Sequence, residues 1–440
     1  MLRDEPAAGE CDEPESIANF TLLERVVERA NLQRALKQVR QNQGAPGIDG
    51  MSVDELPAYL RHHWLEIRAQ LVAGRYRPQP VRRVEIPKPD GRKRLLGIPT
   101  VLDRFIQQAI AQVIQVQWEP HFHRRSYGFR PQRSAHQAVR QLQGDIREGR
   151  RWVVDLDLEA FFDRVNHDRL VARLKRHVPD RALLRLINRY LKAGVRVGKQ
   201  IEATTRGVPQ GGPLSPVLAN VVLDELDWEL DRRGHRFARY ADDCNIVVGS
   251  ERAGVRVMES VKRFIEGSLR LTVNTRKSAV DRPWNRKFLG YSFLKRKGLF
   301  LRRIASRSLE RLKDKLRDLT RRTMGEPLSR LITRVNRLVN GWVGYYRLAE
   351  TPTVFQELDE WLRHRFRQLL WKRWKRPKTR YRELVARGVL PSSAREAAGS
   401  GKGPWRLSAS PPVHQALNNA YWRAQGLLSF ADRYQQLRWT

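Results

Sequence analysis

RYADDCNIVVG, from Arg239 to Gly249, places two adjacent carboxylates between two apolar stretches. These stretches have the short, β-branched character of strands, so the pattern predicts a hairpin with Asp242 and Asp243 at its tip. Neighbouring carboxylates repel each other, and the hydrophobic flanks give them little hydration. A divalent cation is a physical reason to keep them together, because Mg²⁺ prefers carboxylate oxygens. These residues alone leave open an ordinary Asp-Asp turn on the surface.

A second acidic segment, VVDLDLEAFFD from Val153 to Asp163, ends another predicted strand. Asp155 and Asp157 share one face of that strand, because residues two apart point the same way. Two metal ions about 3.5–4 Å apart need bridging acids from separate strands. We therefore predict that Asp157 and Asp242 form the bridging pair. Asp155 is expected to pair with a nearby arginine, and Asp163 to cap a helix.

Between residues 75 and 300 the predicted strands and helices alternate irregularly, which indicates an α+β domain in which helix exceeds strand. The segment 75–100 predicts a β-hairpin with its turn at PDGR (89–92). Further strands are predicted at 152–158, 270–274 (RLTVN) and 287–294, and helices at 22–39, 101–117, 166–177, 181–192, 219–233 and 253–268.

After residue 305 long amphipathic helices rich in Arg and Trp replace the strands. Most of the aromatic side chains there are expected in the core: Trp342, Tyr345, Tyr346, Trp361, Trp371 and Trp374. An exposed basic run at 372–382 is the better candidate for binding RNA, although a solvated helix face has the same composition. Its candidate RNA-binding residues are Lys372, Arg373, Lys375, Arg376, Lys378 and Arg380.

The charge of the chain points to a polyanionic partner. The 440 residues include 84 Lys and Arg against 47 Asp and Glu, a formal net charge of +37. Nucleic acid is the natural partner, because basic side chains displace condensed counterions from phosphates; a merely basic surface is the alternative. No apolar run approaches the roughly 20 residues of a membrane-spanning helix, so no membrane partner is expected. Two cysteines give no zinc cluster, and Cys244 is predicted to be a buried apolar residue.

Several blocks, in the right order along the chain, resemble those of group II intron reverse transcriptases. The blocks are GAPGIDG (44–50), EIPKPDGRKRLLGIP (85–99), SYGFRP (126–131), DLEAFFD (157–163), VPQGGPLSPVLAN (208–220), YADD (240–243), NGWVGYYR (340–347) and WKRWKRPKTRYREL (371–384). The length and C-terminal style are most similar to bacterial class C intron proteins. The chain beyond residue 384 is expected to be too short for a zinc-stabilised endonuclease domain.

The resemblance implies a right-hand polymerase, with fingers and palm, followed by an all-helical thumb or maturase domain X. We expect a disordered tail at 1–20 and an N-terminal helical extension at 21–74. Fingers and palm are expected at 75–304, the thumb at 305–384, and a short DNA-binding-like segment at 385–440.

The resemblance also implies the site residues of an RNA-directed DNA polymerase. Asp157, Asp242 and Asp243 match the catalytic carboxylates, which with the Leu158 backbone carbonyl hold two Mg²⁺ ions, Mn²⁺ being an alternative. Five residues match positions that contact the incoming nucleotide: Lys88 and Arg94 at the triphosphate, Phe162 as the gate against a 2′-hydroxyl, Gln210 beside the nascent pair, and Lys277 as an acid for pyrophosphate departure. Core packing for Phe162 and a solvated side chain for Lys277 stay open.

The implied partners are group II intron RNA, an RNA template with its DNA primer, dNTPs and target DNA. A bacterial cytoplasmic location follows, associated with the nucleoid when the protein is bound to DNA. Two other functions stay open: an RNA-binding splicing factor without catalysis, and a reverse transcriptase adapted to defence or repair.

Overall fold

The computed structural model describes residues 21–87, 91, 93–321 and 325–438. The expected tail at 1–20, the candidate Lys88 and most of the predicted turn at 89–92 lie outside the described residues. Helix accounts for 55% and strand for 14%, in agreement with the predicted α+β class and its excess of helix.

The strands form three sheets. Their bounds are β1 Val81–Pro87, β2 Lys93–Ile98, β3 Trp152–Leu156, β4 Val195–Val197, β5 Gln200–Glu202, β6 Arg236–Tyr240, β7 Asp243–Val248, β8 Ala279–Asp281, β9 Tyr291–Arg296 and β10 Leu299–Ile304. Two sheets have four strands, in the orders β2-β1-β4-β5 and β6-β7-β3-β8, while β9 and β10 form a separate hairpin.

Ten α-helices lie among the strands, a π-helix at Ile265–Leu269 follows the tenth, and nine more α-helices come after the last strand in the described chain. The first ten are α1 Leu22–Val26, α2 Arg29–Asn42, α3 Leu56–Val72, α4 Val101–Trp118, α5 Ala135–Arg147, α6 Phe161–Arg164, α7 His167–Leu174, α8 Arg181–Leu191, α9 Ser215–Arg232 and α10 Glu251–Phe264. The others are α11 Ser306–Leu319, α12 Leu328–Tyr346, α13 Thr353–Arg373, α14 Pro377–Val385, α15 Pro391–Gly399, α16 Pro404–Leu407, α17 Pro411–Ala416, α18 Asn419–Ala424 and α19 Phe430–Arg438.

Side-chain caps fix where several helices begin. Thr100 accepts from the backbone N–H of Asp103 at the start of α4, and Ser134 forms a capping box at the start of α5. Asp180 and Ser250 cap α8 and α10 in the same way. Each cap satisfies backbone donors that a helix end would otherwise leave unpaired.

The β6-β7-β3-β8 sheet divides two hydrophobic cores because successive residues of a strand point to opposite faces. Val154 and Ile246 belong to the larger core, which α4, α9 and α10 also fill. Their neighbours Val153 and Val247 belong to the second core, which continues through α5 into α11–α13. The central strands are therefore buried on both faces, and their second face packs into the core that the C-terminal helices share.

The β2-β1-β4-β5 sheet contains the predicted hairpin. β1 and β2 pair antiparallel from Arg82 with Ile98 to Pro87 with Lys93. The β4–β5 hairpin, which joins β1 by parallel pairing, was not predicted because each of its strands has only three residues.

The C-terminal helices bury most of the aromatic side chains predicted to be core. Trp371 is fully buried, and Trp374 and Tyr346 are 8% exposed. Trp342 and Trp361 are half-buried, whereas Tyr345 is exposed at 37% and departs from the prediction.

Three local predictions are wrong. The predicted helix 22–39 is divided, since α1 ends at Val26 and α2 begins at Arg29. RLTVN at 270–274 is no strand: Arg270 adopts a left-handed conformation with φ 57°, and only Val273 forms an isolated bridge. Asp163 is not at a capping position: it lies inside α6, and Asn166 caps the next helix.

Candidate active site

Strand register brings the predicted catalytic acids to one edge of the palm-like sheet. Leu156 of β3 pairs with Cys244 of β7, so the next position outward sets Asp157 opposite Asp243. Facing residues of antiparallel strands have Cα atoms about 4.5–5.5 Å apart. Asp242 lies in the two-residue turn that Tyr240 and Asp243 close. Three acids from two distant motifs thus occupy adjoining backbone positions.

The turn carrying Asp242 is held by a close backbone approach from the SYGFRP segment. Ala241 takes a left-handed conformation with φ 58°. A Cβ added to Gly128 would lie 2.3 Å from the backbone nitrogen of Ala241, so only glycine fits there. Asn220 fixes the same glycine by donating to its carbonyl at 2.8 Å. The acids therefore sit on a rigid hairpin.

The electrostatics of this edge favour a bound cation. Burial, together with the charges of Asp155 and Asp242, raises the pKa of Asp243 to about 8, while Lys287 acts in the opposite direction. Nearby negative charges disfavour the ionised form of a carboxyl, and a bound metal ion favours it by supplying positive charge.

The donor set consists of hard carboxylate oxygens, which fit Mg²⁺. Across the described ranges, no three acidic, histidine or cysteine side chains stand already assembled as a metal site. The carboxylates of Asp157, Asp242 and Asp243 therefore have to turn toward a common point.

Asp155 is occupied by other partners. Arg286 donates to its carboxylate through Nη2 and Nε at 2.5 and 3.0 Å, and the Asn245 amide donates at 3.1 Å. The predicted arginine partner is confirmed. Burial nevertheless raises the pKa of Asp155, and the Arg286 hydrogen bonds counteract this increase.

The backbone after β3 leaves the Leu158 carbonyl outside the local pairing. Leu158 forms an isolated bridge with Val273, but the bonds of that bridge use neighbouring groups. Glu159 N–H donates to Thr272 at 2.8 Å, and the Asp157 carbonyl accepts from Asn274 at 2.8 Å. The Leu158 carbonyl takes part in neither bond, which suits the role of metal ligand predicted for it.

Two of the predicted nucleotide contacts line one cavity of about 310 Å³, shared by Phe162, Gln210 and the first four-stranded sheet. Val208 N–H donates to the Phe162 carbonyl at 2.6 Å and joins their two motifs. Phe162 is half-buried and packs edge-on against Phe161, with ring centroids 5.1 Å apart. Phe162 therefore has contacts that fit both interpretations, the gate against a 2′-hydroxyl and packing in the core.

The other predicted nucleotide contacts lie at different places. Lys277 Nζ is 3.4 Å from the Asp157 carboxylate, at the same edge as the acids. Arg94 is exposed on β2 and faces Ile86 across the hairpin.

A buried network behind the catalytic hairpin was missed by the sequence analysis. Arg239 donates through Nε and Nη2 to both carboxylate oxygens of Asp227 at 2.7 and 2.5 Å, and both side chains are fully buried. Its Nη1 also reaches the Ala241 carbonyl at 2.8 Å and the Asn220 amide oxygen at 3.0 Å, and its Nη2 reaches Ser126 at 2.7 Å. Arg239 thus fixes the turn from behind. The sequence signal that could have predicted this network is Arg239 itself, a charged residue between the apolar Phe237-Ala238 and the buried Ala241.

The predicted RNA-binding run is only partly exposed. Lys372, Lys375, Arg376 and Lys378 are exposed, as predicted. The other two are half-buried: Arg373 donates to the Glu326 carbonyl at 2.7 Å, and Arg380 donates to the Trp374 carbonyl at 2.9 Å. The expectation of a wholly exposed run is therefore wrong for these two.

Comparisons with known proteins match both halves of this architecture. Residues 86–293 match the family model "Reverse transcriptase (RNA-dependent DNA polymerase)", and residues 309–388 match "Group II intron, maturase-specific domain". Protein YkfC of Escherichia coli K12 is 34% identical over 300 residues, covering 59% of this chain and 78% of the relative. The chain belongs to the group II intron-encoded reverse transcriptases.

The prediction of an RNA-directed DNA polymerase with a maturase domain is confirmed at the level of the family. The reverse transcriptase is also 30% identical to the group II intron-encoded protein LtrA of Lactococcus lactis subsp. cremoris, over 68% of this chain and 62% of LtrA. Among solved structures, it is similar to a chain of a partial Cas6-RT-Cas1–Cas2 complex, at 25% identity over 57% of this chain and 43% of that one, with a TM-score of 0.36. None of the helices described here is both long and apolar enough to span a bilayer.

Proposed function

We propose that this reverse transcriptase copies intron RNA into DNA by two-metal nucleotidyl transfer, with Asp157, Asp242 and Asp243 as its metal-binding carboxylates. The observation that carries the proposal is the β3–β7 register, which sets Asp157 opposite Asp243 beside the Asp242 turn. Two Mg²⁺ ions, or Mn²⁺ in their place, fit the oxygen donors, with the Leu158 carbonyl as a further ligand.

When bound, the ions lower the pKa of the primer 3′-hydroxyl and stabilise the departing pyrophosphate. Lys277, whose ammonium lies 3.4 Å from the Asp157 carboxylate, holds the proton for that leaving group. Phe162 closes the cavity beside Gln210 and excludes a 2′-hydroxyl, so that dNTPs are preferred. Arg94 and Lys88 hold the triphosphate, to which arginine binds as a fork and lysine as a point charge.

We further propose a maturase role in which the protein binds group II intron RNA during splicing and target DNA during mobility. Residues 75–304 act as fingers and palm, 305–384 as thumb and maturase domain, and 385–440 as a DNA-binding-like segment. RNA binding by residues 305–384 is supported by their exposed cations Lys372, Lys375, Arg376 and Lys378. We place the protein in the cytoplasm, associated with the nucleoid when it is bound to DNA; the net charge of +37 supports the association with DNA.

Primer extension tests the polymerase assignment. Purified protein with Mg²⁺, oligo(dT)-primed poly(rA) and dTTP is expected to extend the primer. Asp242→Asn should reduce extension by at least about a thousandfold, because it removes a charged ligand of the reacting groups. Asp168→Asn, an exposed acid in the first turn of α7, is the matched control and should extend normally.

RNA affinity of the same variants separates catalysis from binding. Asp242→Asn should keep most of its affinity for RNA, since it removes no cation. A variant that extends the primer as well as the wild type would refute the site. A wild type that binds RNA but never extends would indicate a splicing factor without catalysis.

A further inference from the structure

A basic pocket lies between α13 and the short helices that follow residue 404. Its volume is about 620 Å³, and its basic lining comes from Arg363, His364, Arg367 and His414. None of these four belongs to the exposed run at 372–382 or to the catalytic edge. The pocket is therefore a separate feature of the C-terminal region.

Arg367 is the unusual member of this lining, because its charge is buried without compensation. It is 6% exposed, and its Nε donates to the Ser408 carbonyl at 2.8 Å. Among the described residues, neither Arg367 nor its neighbour Arg363 forms an ion pair with a carboxylate. Burial, and then the charge of Arg363, lowers the pKa of Arg367 to about 10. A buried cation is costly unless an anion pairs with it, so this position is suited to an anion from outside the chain.

An aromatic platform adjoins the basic pocket. The rings of His364 and Trp405 are stacked with centroids 3.8 Å apart and planes 22° apart. The His364 Nε2 also lies 2.9 Å from the Trp405 carbonyl, which fixes α16 against α13. Trp405 is 45% exposed. A large exposed indole beside an uncompensated guanidinium offers the two contacts that one nucleotide needs, a base stack and a phosphate pair.

Two acids limit how an anion can lie in the pocket. Glu357 and Glu360 line it as well, on the same helix. Three- and four-residue spacing places Glu357, Glu360, His364 and Arg367 along one face of α13, so Glu357 is nearly three turns from Arg367. A phosphate is therefore attracted at the Arg367 end and repelled at the other, which favours a single phosphate over a polyanion lying along the whole pocket.

We propose that this pocket binds one nucleotide of a single-stranded RNA segment, with its phosphate at Arg363 and Arg367 and its base on Trp405. A duplex is unsuited, because its bases are stacked on each other and expose no face to a side chain. The amide of Asn419 also lines the pocket and supplies a hydrogen-bond partner for a 2′-hydroxyl, which favours RNA over DNA, whereas the neighbouring Asn418 amide caps α18. The inference rests on the proposed RNA-binding role but not on polymerisation.

Fluorescence anisotropy with an unstructured, fluorescein-labelled RNA of about 15 nucleotides tests the site. The full-length protein is first saturated with unlabelled primer–template, so that the polymerase cleft is filled. Arg363→Gln and Trp405→Ala are each expected to weaken RNA binding about fivefold or more. The half-buried Arg363 and the exposed Trp405 can be replaced without opening the core, unlike Arg367.

Arg395→Gln is the matched control, an exposed arginine of α15 that lies outside the pocket. It should lose only the small affinity that any single positive charge contributes. Trp405→Ala changes no charge, so its loss of affinity cannot come from general electrostatics. An unchanged affinity in Trp405→Ala, or an equal decrease in Arg363→Gln and Arg395→Gln, would overturn the proposal. Equal binding of DNA of the same sequence would overturn the assignment to RNA.

A cross-linking arm locates the RNA independently of affinity. RNA containing 4-thiouridine should cross-link on irradiation to the peptide that carries Trp405, and labelling confined to other peptides would contradict the site. Primer extension by the wild type, measured beside these binding assays, reports on the polymerase separately. If the wild type itself fails to extend a primer, the polymerase proposal fails while the binding results still decide this one.

Discussion

The edge of the sheet that carries the acids and the basic pocket beside α13 differ in how their charged groups are paired. Near the acids, most charges have partners within the chain: Arg286 pairs with Asp155, Arg239 with Asp227, and Lys277 lies beside Asp157. In the basic pocket, Arg363 and Arg367 form no ion pair among the described residues. The backbone that carries the acids is therefore held in place by ion pairs within the chain before any ligand arrives. The basic pocket leaves its charge to be neutralised by a ligand, as nucleic-acid binding requires.

The largest predicted effect is a loss of stability at the fully buried ion pair between Arg239 and Asp227. Arg239→Met keeps the volume of the side chain but leaves the fully buried Asp227 without its partner. Removal of one member of such a pair costs about 3–5 kcal/mol of unfolding free energy. Urea denaturation measures this loss.

The control for Arg239→Met is Arg321→Met, which breaks the exposed pair with Asp318 at 2.7 Å. Both of those side chains are about two-thirds exposed, so no measurable change is expected. If the two variants unfold at the same urea concentration, the buried pair contributes no more to stability than the exposed one, and the contrast fails.

A smaller effect, on catalysis rather than stability, is expected at the catalytic turn. The methyl group in Gly128→Ala would meet the Ala241 backbone and shift the turn that carries Asp242. A displacement of about 1 Å lowers kcat by roughly a hundredfold. Steady-state primer extension measures kcat and KM separately, and circular dichroism confirms folding.

Gly144→Ala is the natural comparison, because a Cβ there meets nothing within 4 Å and the residue lies inside α5. It should leave kcat unchanged and increase stability by about 0.5–1 kcal/mol, the helix-propensity difference between alanine and glycine. If Gly128→Ala retains full kcat, the turn does not need this close approach.

The smallest effect is expected on the exposed basic run. Lys375→Gln should weaken RNA binding a few-fold and reduce the slope of log affinity against log salt by about 1, without changing the melting temperature. Titrations over a series of KCl concentrations measure this slope.

Arg380→Gln provides the contrast within the same run, since Arg380 donates to Trp374 and its guanidinium lies 4.9 Å from the Trp371 ring centroid. It should lower the melting temperature and leave the salt slope nearly unchanged. The reverse outcome would mean that the half-buried cations, rather than the exposed ones, contact RNA.

The sequence predicted what depends on local pattern. The alternating apolar residues around Asp242 predicted a hairpin, and the strand before Asp157 was correct to within two residues. Their convergence was predicted because two metal ions need bridging acids from separate strands, and the β3–β7 register agrees with it. The Arg partner of Asp155 was also foreseen, because a second acid on the same strand face needs compensation.

Contacts between distant residues could not be predicted in the same way. Asp227 looks like a surface acid of an amphipathic helix, and only the fold buries it against Arg239. The basic pocket joins residues of α13 to His414 across about fifty positions of chain. RLTVN has strand composition, yet a left-handed Arg270 redirects it to bond the backbone beside Asp157 instead. Composition carries no information about such pairings.

The division of the central sheet between two cores has a mechanical consequence. Val153 and Val247 pack into the core of the thumb-like helices, while the alternate residues of the same strands pack into the other core. The C-terminal helices therefore pack against the back of the strands that lead to the proposed metal-binding acids. If RNA binds these helices as proposed, a force that it applies to them would reach Asp157 and Asp243 through this shared core, so RNA binding and the geometry of the two acids are expected to be coupled.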